Sequence, residues 1–124
     1  MTSGVGIDMI EVERVAEKIS KESGFRELIF SKTEIGYCES KTNKFEHYAA
    51  RFAAKEAFFK ALGTGWTENT SFNEVEIINS PEGKPEVNLL GCTLQTINSM
   101  GIKKVLVSLS HIKTVASAVV IIEK

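Results

Sequence analysis

The sequence predicts a single α+β domain in which a mainly antiparallel sheet packs with one long central helix and shorter helices. Residues 43–62 show a long helical pattern that ends at Gly63 and Gly65. Strand patterns stand near both ends of the chain, and they do not alternate regularly with helices as the strands of a parallel sheet would. The length of 124 residues fits one domain over 1–124.

Local patterns place the remaining elements. We expect strands over 3–10, 72–78, 87–90, 105–110 and 115–122, and helices over 11–22 and 93–100. Ser31 and Glu34 match a capping box, which predicts a brief helix there. The segment SPEGKP at 80–85 predicts a turn, because it carries a glycine flanked by two prolines.

Composition argues against several classes of protein. The formal net charge of −1 gives no global basic field for nucleic acid, and two histidines support no zinc site of the usual kind. Cys38 and Cys92 lack CxxC spacing, which favours a reduced compartment over a disulfide framework. No secretory signal pattern is present, and the longest apolar run, 118–122, is too short to span a bilayer. We therefore expect a cytoplasmic protein that binds neither nucleic acid nor membranes.

The central helix carries two polar stripes. Arg51 and Lys55 form one pair at the i, i+4 spacing, and Glu56 and Lys60 form the other. The second pair lies between an aromatic side and an alanine side of the helix, not on a broad solvated face. Two interpretations stay open from this pattern: a helical ion pair that contributes about 0.2–0.5 kcal/mol, or a carboxylate and an ammonium available for chemistry.

The first strand contains an aspartate among small and apolar residues. Asp8 shares one strand face with Gly4 and Gly6. A lone buried carboxylate is costly unless it is paired or binds a metal, and neighbouring glycines let a ligand approach the backbone. Two interpretations of Asp8 therefore stay open: a metal ligand, or an ordinary aspartate of a turn or cap.

Two carboxylates from separate elements, with a lysine one turn from one of them, suit a magnesium-phosphate site. Mg²⁺ prefers oxygen ligands and typically takes one or two carboxylates with phosphates and water. Asp8 and Glu56 are therefore candidate metal ligands. Lys60 is a candidate cation for phosphate or proton donor to a leaving group.

Several motifs, in this order, resemble the holo-acyl-carrier-protein synthases, a family of 4'-phosphopantetheinyl transferases. GVGIDMIEVERV at 4–15 resembles the family's G-x-D opening, and FAAKEAFFK at 52–60 resembles its aromatic-x-x-K-E-A-x-x-K signature. GTG at 63–65, GKP at 83–85 and SLSH at 108–111 stand where the family carries similar pieces. The likeness covers nearly the whole chain.

The resemblance implies the 4'-phosphopantetheinyl transferase fold and a Mg²⁺-dependent enzyme that supports fatty acid biosynthesis. Such an enzyme moves the 4'-phosphopantetheine group of coenzyme A to a serine of apo-acyl carrier protein and releases 3',5'-ADP. Asp8 and Glu56 would bind the metal, and Lys60 would contact the phosphate or protonate the leaving group. The serine would attack the β-phosphate and lose its proton to Glu56 or to a metal-held water.

The resemblance also implies binding residues and an assembly. Coenzyme A would be held by Arg51, Lys60, Gly63, Gly65, Lys84, Pro85 and His111. Arg14 matches a family position that meets the acidic carrier protein, and Lys18 and Lys21 extend this patch along the first helix, although such residues are usually a solvated face. The family assembles as a homotrimer with active sites between neighbouring subunits.

One departure and two alternatives remain. Ala53 lacks the small polar side chain that the family often has there, from which we expect a change in packing or water contact without loss of chemistry. A non-catalytic module that binds magnesium-nucleotide or coenzyme A would keep Asp8 and Glu56 but form no product. A structural oligomerisation domain would show neither binding nor transfer, but it would leave Asp8 without a partner on its own strand.

Overall fold

Two antiparallel sheets pack with five α-helices in the computed structural model, which describes residues 1–65 and 67–124. The strands are β1 (Thr2–Glu11), β2 (Val75–Asn79), β3 (Pro85–Leu89), β4 (Lys104–His111) and β5 (Val115–Glu123). The helices are α1 (Val12–Lys21), α2 (Phe25–Ile29), α3 (Lys32–Glu39), α4 (Lys44–Leu62) and α5 (Gly91–Ser99). The larger sheet has the strand order β1-β5-β4, and β2 pairs with β3. The predicted α+β class is confirmed.

Helix α4 is the centre of the fold. Eleven of its 19 residues are buried, and its alanines and aromatic residues contribute to both hydrophobic clusters of the core. One cluster joins α4 to the two sheets and α5, and the other joins it to α1, α2 and α3. Within the described residues, no helix combines the length and the apolar character needed to cross a membrane.

The segment before β2 differs from the prediction. Phe72–Glu74 forms one turn of 3-10 helix, and β2 begins only at Val75, so the expectation of a strand from Phe72 was wrong. The turn directs Glu74 towards α5, where its carboxylate accepts hydrogen bonds from the Thr93 amide (3.1 Å) and the Thr93 hydroxyl (2.7 Å). Because the Glu74 carboxylate satisfies a free amide at the start of α5, a turn at Phe72–Glu74 is favoured over an extended backbone.

The capping box predicted at Ser31 is confirmed. Its hydroxyl accepts from the Glu34 amide, and the Glu34 carboxylate accepts from the Ser31 amide at 2.9 Å. The short helix α2 was not predicted. It follows Gly24, whose φ of 83° lies in the left-handed region that favours glycine.

A buried ion pair fastens α4 to the smaller sheet. The Nζ of fully buried Lys55 lies 2.8 Å from the Glu34 carboxylate and donates to the carbonyls of Phe72 (2.8 Å) and Val75 (2.6 Å). Glu34 also accepts from the Ile77 amide at 2.8 Å. Burial lowers the pKa of Lys55, and the Glu34 charge acts in the opposite direction. The three close acceptors match the three N–H donors that a lysine ammonium carries.

Strand β1 lies directly against α4 because two of its residues have no side chain. A Cβ on Gly4 would overlap the Ala61 carbonyl, and a Cβ on Gly6 would overlap the Ala57 carbonyl. Since alternate strand residues share a face, Asp8 also points to the helix side. The backbone contact therefore brings the aspartate to the surface of α4.

The other face of the larger sheet is apolar and uncovered in the single chain. Val5, Ile7 and Met9 are 60%, 65% and 69% exposed. Val119 and Ile121 of β5 lie on the same face, because they pair directly with Ile7 and Val5. An uncovered apolar sheet face of this kind marks an interaction surface.

We predict that Gly6→Ala destabilises the protein by at least about 1–3 kcal/mol, because the added methyl group forces β1 away from a helix backbone that cannot yield. Gly36→Ala is the matched control: it lies inside α3 with open space around its Cβ position, so the same change should stabilise by about 0.5–1 kcal/mol. Chemical denaturation measures both values. Equal stability of Gly6→Ala and the parent protein would contradict the close strand–helix contact.

Candidate active site

Asp8 and Lys60 meet where β1 crosses α4. The Lys60 Nζ lies 2.8 Å from the Asp8 carboxylate and donates to the Ile7 carbonyl at 3.1 Å. The Asp8 side chain is 17% exposed and that of Lys60 56%. Glu56, one helical turn before Lys60, is partly buried beside them. The structure thus brings Asp8, which sequence patterns had placed on a strand, to Glu56 and Lys60, which they had placed on one stripe of the central helix.

A cleft of about 380 Å³ opens at this point of the surface. Asp8 and Glu56 line it together with Arg14 and Phe52. The other lining residues are Met9, Ile10, Glu11 and Val115. The Val12 amide donates to the Thr114 carbonyl at 2.9 Å, which fixes the start of α1 and so places Arg14 at the cleft.

The charges in the cleft are linked. Burial and the negative charge of Asp8 raise the pKa of Glu56, and the cations of Lys60 and Lys18 act in the opposite direction. The hydrogen bond to Asp8 raises the pKa of Lys60. Within the described residues, Lys60 is thus the cation hydrogen-bonded to one of the two carboxylates, while Lys18 acts on Glu56 through its charge and Arg14 lines the same cleft.

Asp8 and Glu56 suit a magnesium ion that is also coordinated by the phosphate groups of a substrate. Mg²⁺ keeps several waters and typically takes only one or two protein carboxylates with substrate phosphates. No cluster of three or more His, Cys, Asp or Glu placed for a metal occurs in the described part of the chain. Asp8 and Glu56 are thus enough for a shared ion and too few for a closed structural site.

Some of the residues expected to hold coenzyme A lie near this cleft and others lie apart. Gly63, the residue that ends α4, and Gly65, with φ of 81° and 67°, follow Lys60 closely in the chain. Lys84 and Pro85 lie at the β2–β3 connection and line a separate groove of about 210 Å³ with β4.

Arg51 and His111 do not line the cleft. Arg51 is 2% exposed, its guanidinium stands 4.4 Å over the Tyr37 ring, and its Nε has no hydrogen-bond partner among the described residues. The His111 Nδ1 lies 2.9 Å from the Glu46 carboxylate. Glu46 precedes Glu56 by ten residues, or about 15 Å along the helix. His111 is not among the residues that line the Asp8 cleft.

The basic residues of α1 connect to the cleft through aromatic rings. Lys18 lies 5.6 Å from the Phe25 ring centre, and Phe25 lies 6.3 Å from Phe52, which lines the cleft. Lys21 is exposed in the last turn of α1. Sequence reasoning had not linked Phe25 to this site, because nothing local predicts that α2 packs beside α4.

Comparison with known proteins agrees with these features. Residues 4–116 match the family model described as the 4'-phosphopantetheinyl transferase superfamily. A holo-[acyl-carrier-protein] synthase of Syntrophus aciditrophicus is 42% identical over 124 residues, covering 99% of this chain and 97% of the relative. One of Cytophaga hutchinsonii is 54% identical over 85 residues, covering 68% of this chain and 67% of the relative.

Solved structures show the same relationship. The holo-[acyl-carrier-protein] synthase of Neisseria meningitidis has a TM-score of 0.91 at 30% identity and 100% coverage of both chains. That of Helicobacter pylori, solved in complex with coenzyme A, has a TM-score of 0.84 at 30% identity, covering 96% of this chain and 99% of that one. The chain belongs to the 4'-phosphopantetheinyl transferase superfamily and, within it, to the holo-[acyl-carrier-protein] synthases.

Proposed function

We propose that this chain transfers the 4'-phosphopantetheine group of coenzyme A to a serine of apo-acyl carrier protein, with Mg²⁺, in support of fatty acid biosynthesis. The observation that carries the proposal is that Asp8 and Glu56 line one open cleft while Lys60 pairs with Asp8 beside it. Relatives that were solved with coenzyme A, from Helicobacter pylori and Bacillus anthracis, support the choice of substrate.

Each of the three residues has a distinct task. Asp8 and Glu56 would hold Mg²⁺, which supplies charge neutralisation for a diphosphate when it is bound. Lys60 would bind the same diphosphate or protonate the departing 3',5'-ADP. The serine oxygen forms a bond to the β-phosphorus as the bond to the bridging oxygen breaks. The serine proton would pass to Glu56 or to a water held by the metal.

The basic face of α1 would receive the carrier protein. Arg14, Lys18 and Lys21 are exposed on one short helix, and Arg14 also lines the cleft. A partner of opposite charge would be drawn to this face, and its serine would be brought towards Glu56. The free thiols of Cys38 and Cys92 are in keeping with a cytoplasmic setting.

A homotrimer would complete the site. His111, one of the residues assigned to coenzyme A, does not line the Asp8 cleft of its own chain and contacts Glu46 instead. The uncovered face of the larger sheet, around Ile7, offers an apolar surface for other copies of the chain. In a ring, one chain's cleft would meet a different region of its neighbour.

Incubating purified apo-acyl carrier protein with this protein, coenzyme A and Mg²⁺ should add the mass of one phosphopantetheine group, and EDTA should prevent the gain. Asp8→Ala and Glu56→Ala should each lower the rate by at least about 100-fold, because each removes a ligand of the metal that would neutralise charge in the transition state. Mass spectrometry of the carrier gives the readout. Glu27→Ala, which removes an exposed carboxylate that pairs with Arg26, is the control.

Near-normal turnover of either cleft variant at saturating Mg²⁺ would refute these roles. No mass gain with several carrier proteins, despite measurable coenzyme A binding, would instead support a non-catalytic binding module.

Arg14→Ala should weaken binding of the carrier protein by about tenfold while changing the affinity for coenzyme A by less than about twofold, because a single charge contact contributes on the order of 1 kcal/mol. Calorimetric titration with each ligand separates the two effects. Lys103→Ala, an exposed lysine outside the α1 face, serves as the control. Equal losses for both ligands would overturn the assignment of Arg14 to the carrier.

Sedimentation analysis should give three times the chain mass of 13.7 kDa, and Ile7→Glu should lower it, because a charge would be buried in the proposed interface. Leu28→Glu is a matched control, since Leu28 is 69% exposed but lies on α2, away from the sheet. A monomeric parent protein, or an unchanged mass for Ile7→Glu, would contradict the trimer.

A further inference from the structure

The Lys60 ammonium occupies one of the two Asp8 carboxylate oxygens that a divalent cation would use. Its Nζ is 2.8 Å from the Asp8 carboxylate, and the Ile7 carbonyl is its second acceptor at 3.1 Å. Both acceptors belong to β1, whose backbone is held against α4. The strand side of this contact is therefore fixed, and the lysine is the part that can move.

The Lys60 side chain is also free to move away from Asp8. Its side chain is 56% exposed, whereas that of Asp8 is 17% exposed. A lysine side chain is a flexible four-carbon stem with a compact charge at its end. Glu56 accepts no hydrogen bond from the described residues, so Lys60 is the cation that compensates this pair of carboxylates most directly.

Resting on the function proposed above, we propose that Lys60 is a tethered competitor for the metal ion at Asp8, and that a diphosphate draws it away. With Lys60 seated, the ammonium cancels one of the two carboxylate charges, and a divalent ion is attracted weakly. When a diphosphate takes the ammonium, both carboxylates become available. Metal binding and diphosphate binding are then coupled through this one side chain.

The coupling must act in both directions. If the diphosphate strengthens metal binding by some factor, the metal strengthens diphosphate binding by the same factor, because the two binding equilibria are linked. Lys60 thereby favours the state in which metal and coenzyme A are both bound over the state in which metal alone is bound. An enzyme without this lysine should keep the metal site and lose part of the coupling.

The test measures binding of Mn²⁺, which suits the same carboxylate and water ligands as Mg²⁺ and is detected by electron paramagnetic resonance of the free ion. Three proteins are compared without and with saturating coenzyme A: the parent, Lys60→Met and Lys18→Met. Lys18 is the matched control, because its charge acts on Glu56 without a hydrogen bond to either carboxylate.

Without coenzyme A, Lys60→Met should bind Mn²⁺ at least about fivefold more tightly than the parent, the lower end of usual coupling factors. Lys18→Met should differ from the parent by less than about twofold, since exposed charges at a distance interact weakly. Coenzyme A should strengthen Mn²⁺ binding in the parent, and this gain should shrink in Lys60→Met.

Two results would overturn the competitor role of Lys60: no gain in Mn²⁺ affinity for Lys60→Met, or the same effect of coenzyme A in that variant as in the parent. Asp8→Asn separates this failure from failure of the metal site itself. If Asp8→Asn binds Mn²⁺ as the parent does, the assignment of Asp8 as a ligand falls and the inference with it. The transfer assay reports independently on the proposed reaction.

Discussion

The close contact between β1 and α4 is the constraint on which the rest of the structure depends. Gly4 and Gly6 leave no side chain between the strand and the carbonyls of Ala61 and Ala57. Because the two backbones are so near, the short side chain of Asp8 reaches the helix surface. Any side chain in place of either glycine would separate the strand from the helix and, with it, the two carboxylates of the cleft.

The same contact explains why the sequence was informative about this part of the site. Strand alternation placed Asp8 on the face of the glycines, and helical spacing placed Glu56 and Lys60 on one stripe. Both periodicities are local and need no knowledge of the fold. That the strand crosses the helix at this stripe is not local, and it followed only from resemblance to a family and from the structure.

Contacts between distant segments explain what the sequence could not predict. Lys55 has the spacing of a surface lysine, yet it is fully buried, because Glu34 and two carbonyls meet it from segments that no local pattern brings to α4. The pair of Glu46 and His111 joins residues 65 positions apart. The 3-10 turn before β2 depends likewise on Glu74 binding the start of α5.

The single chain has an exposed apolar sheet face and a cleft that lacks some of the residues expected at it, and one assembly would account for both. The sheet face around Ile7 remains apolar and exposed, which is costly in water. In the proposed function the Asp8 cleft would bind a metal and a diphosphate, but neither His111 nor Arg51, whose Nε has no hydrogen-bond partner among the described residues, lines it. In a cyclic trimer each interface joins unlike surfaces of two copies. Burying the sheet face in such a ring could therefore bring the Arg51 region of one chain to the Asp8 cleft of the next, so that folding stability and catalysis would depend on the same surface.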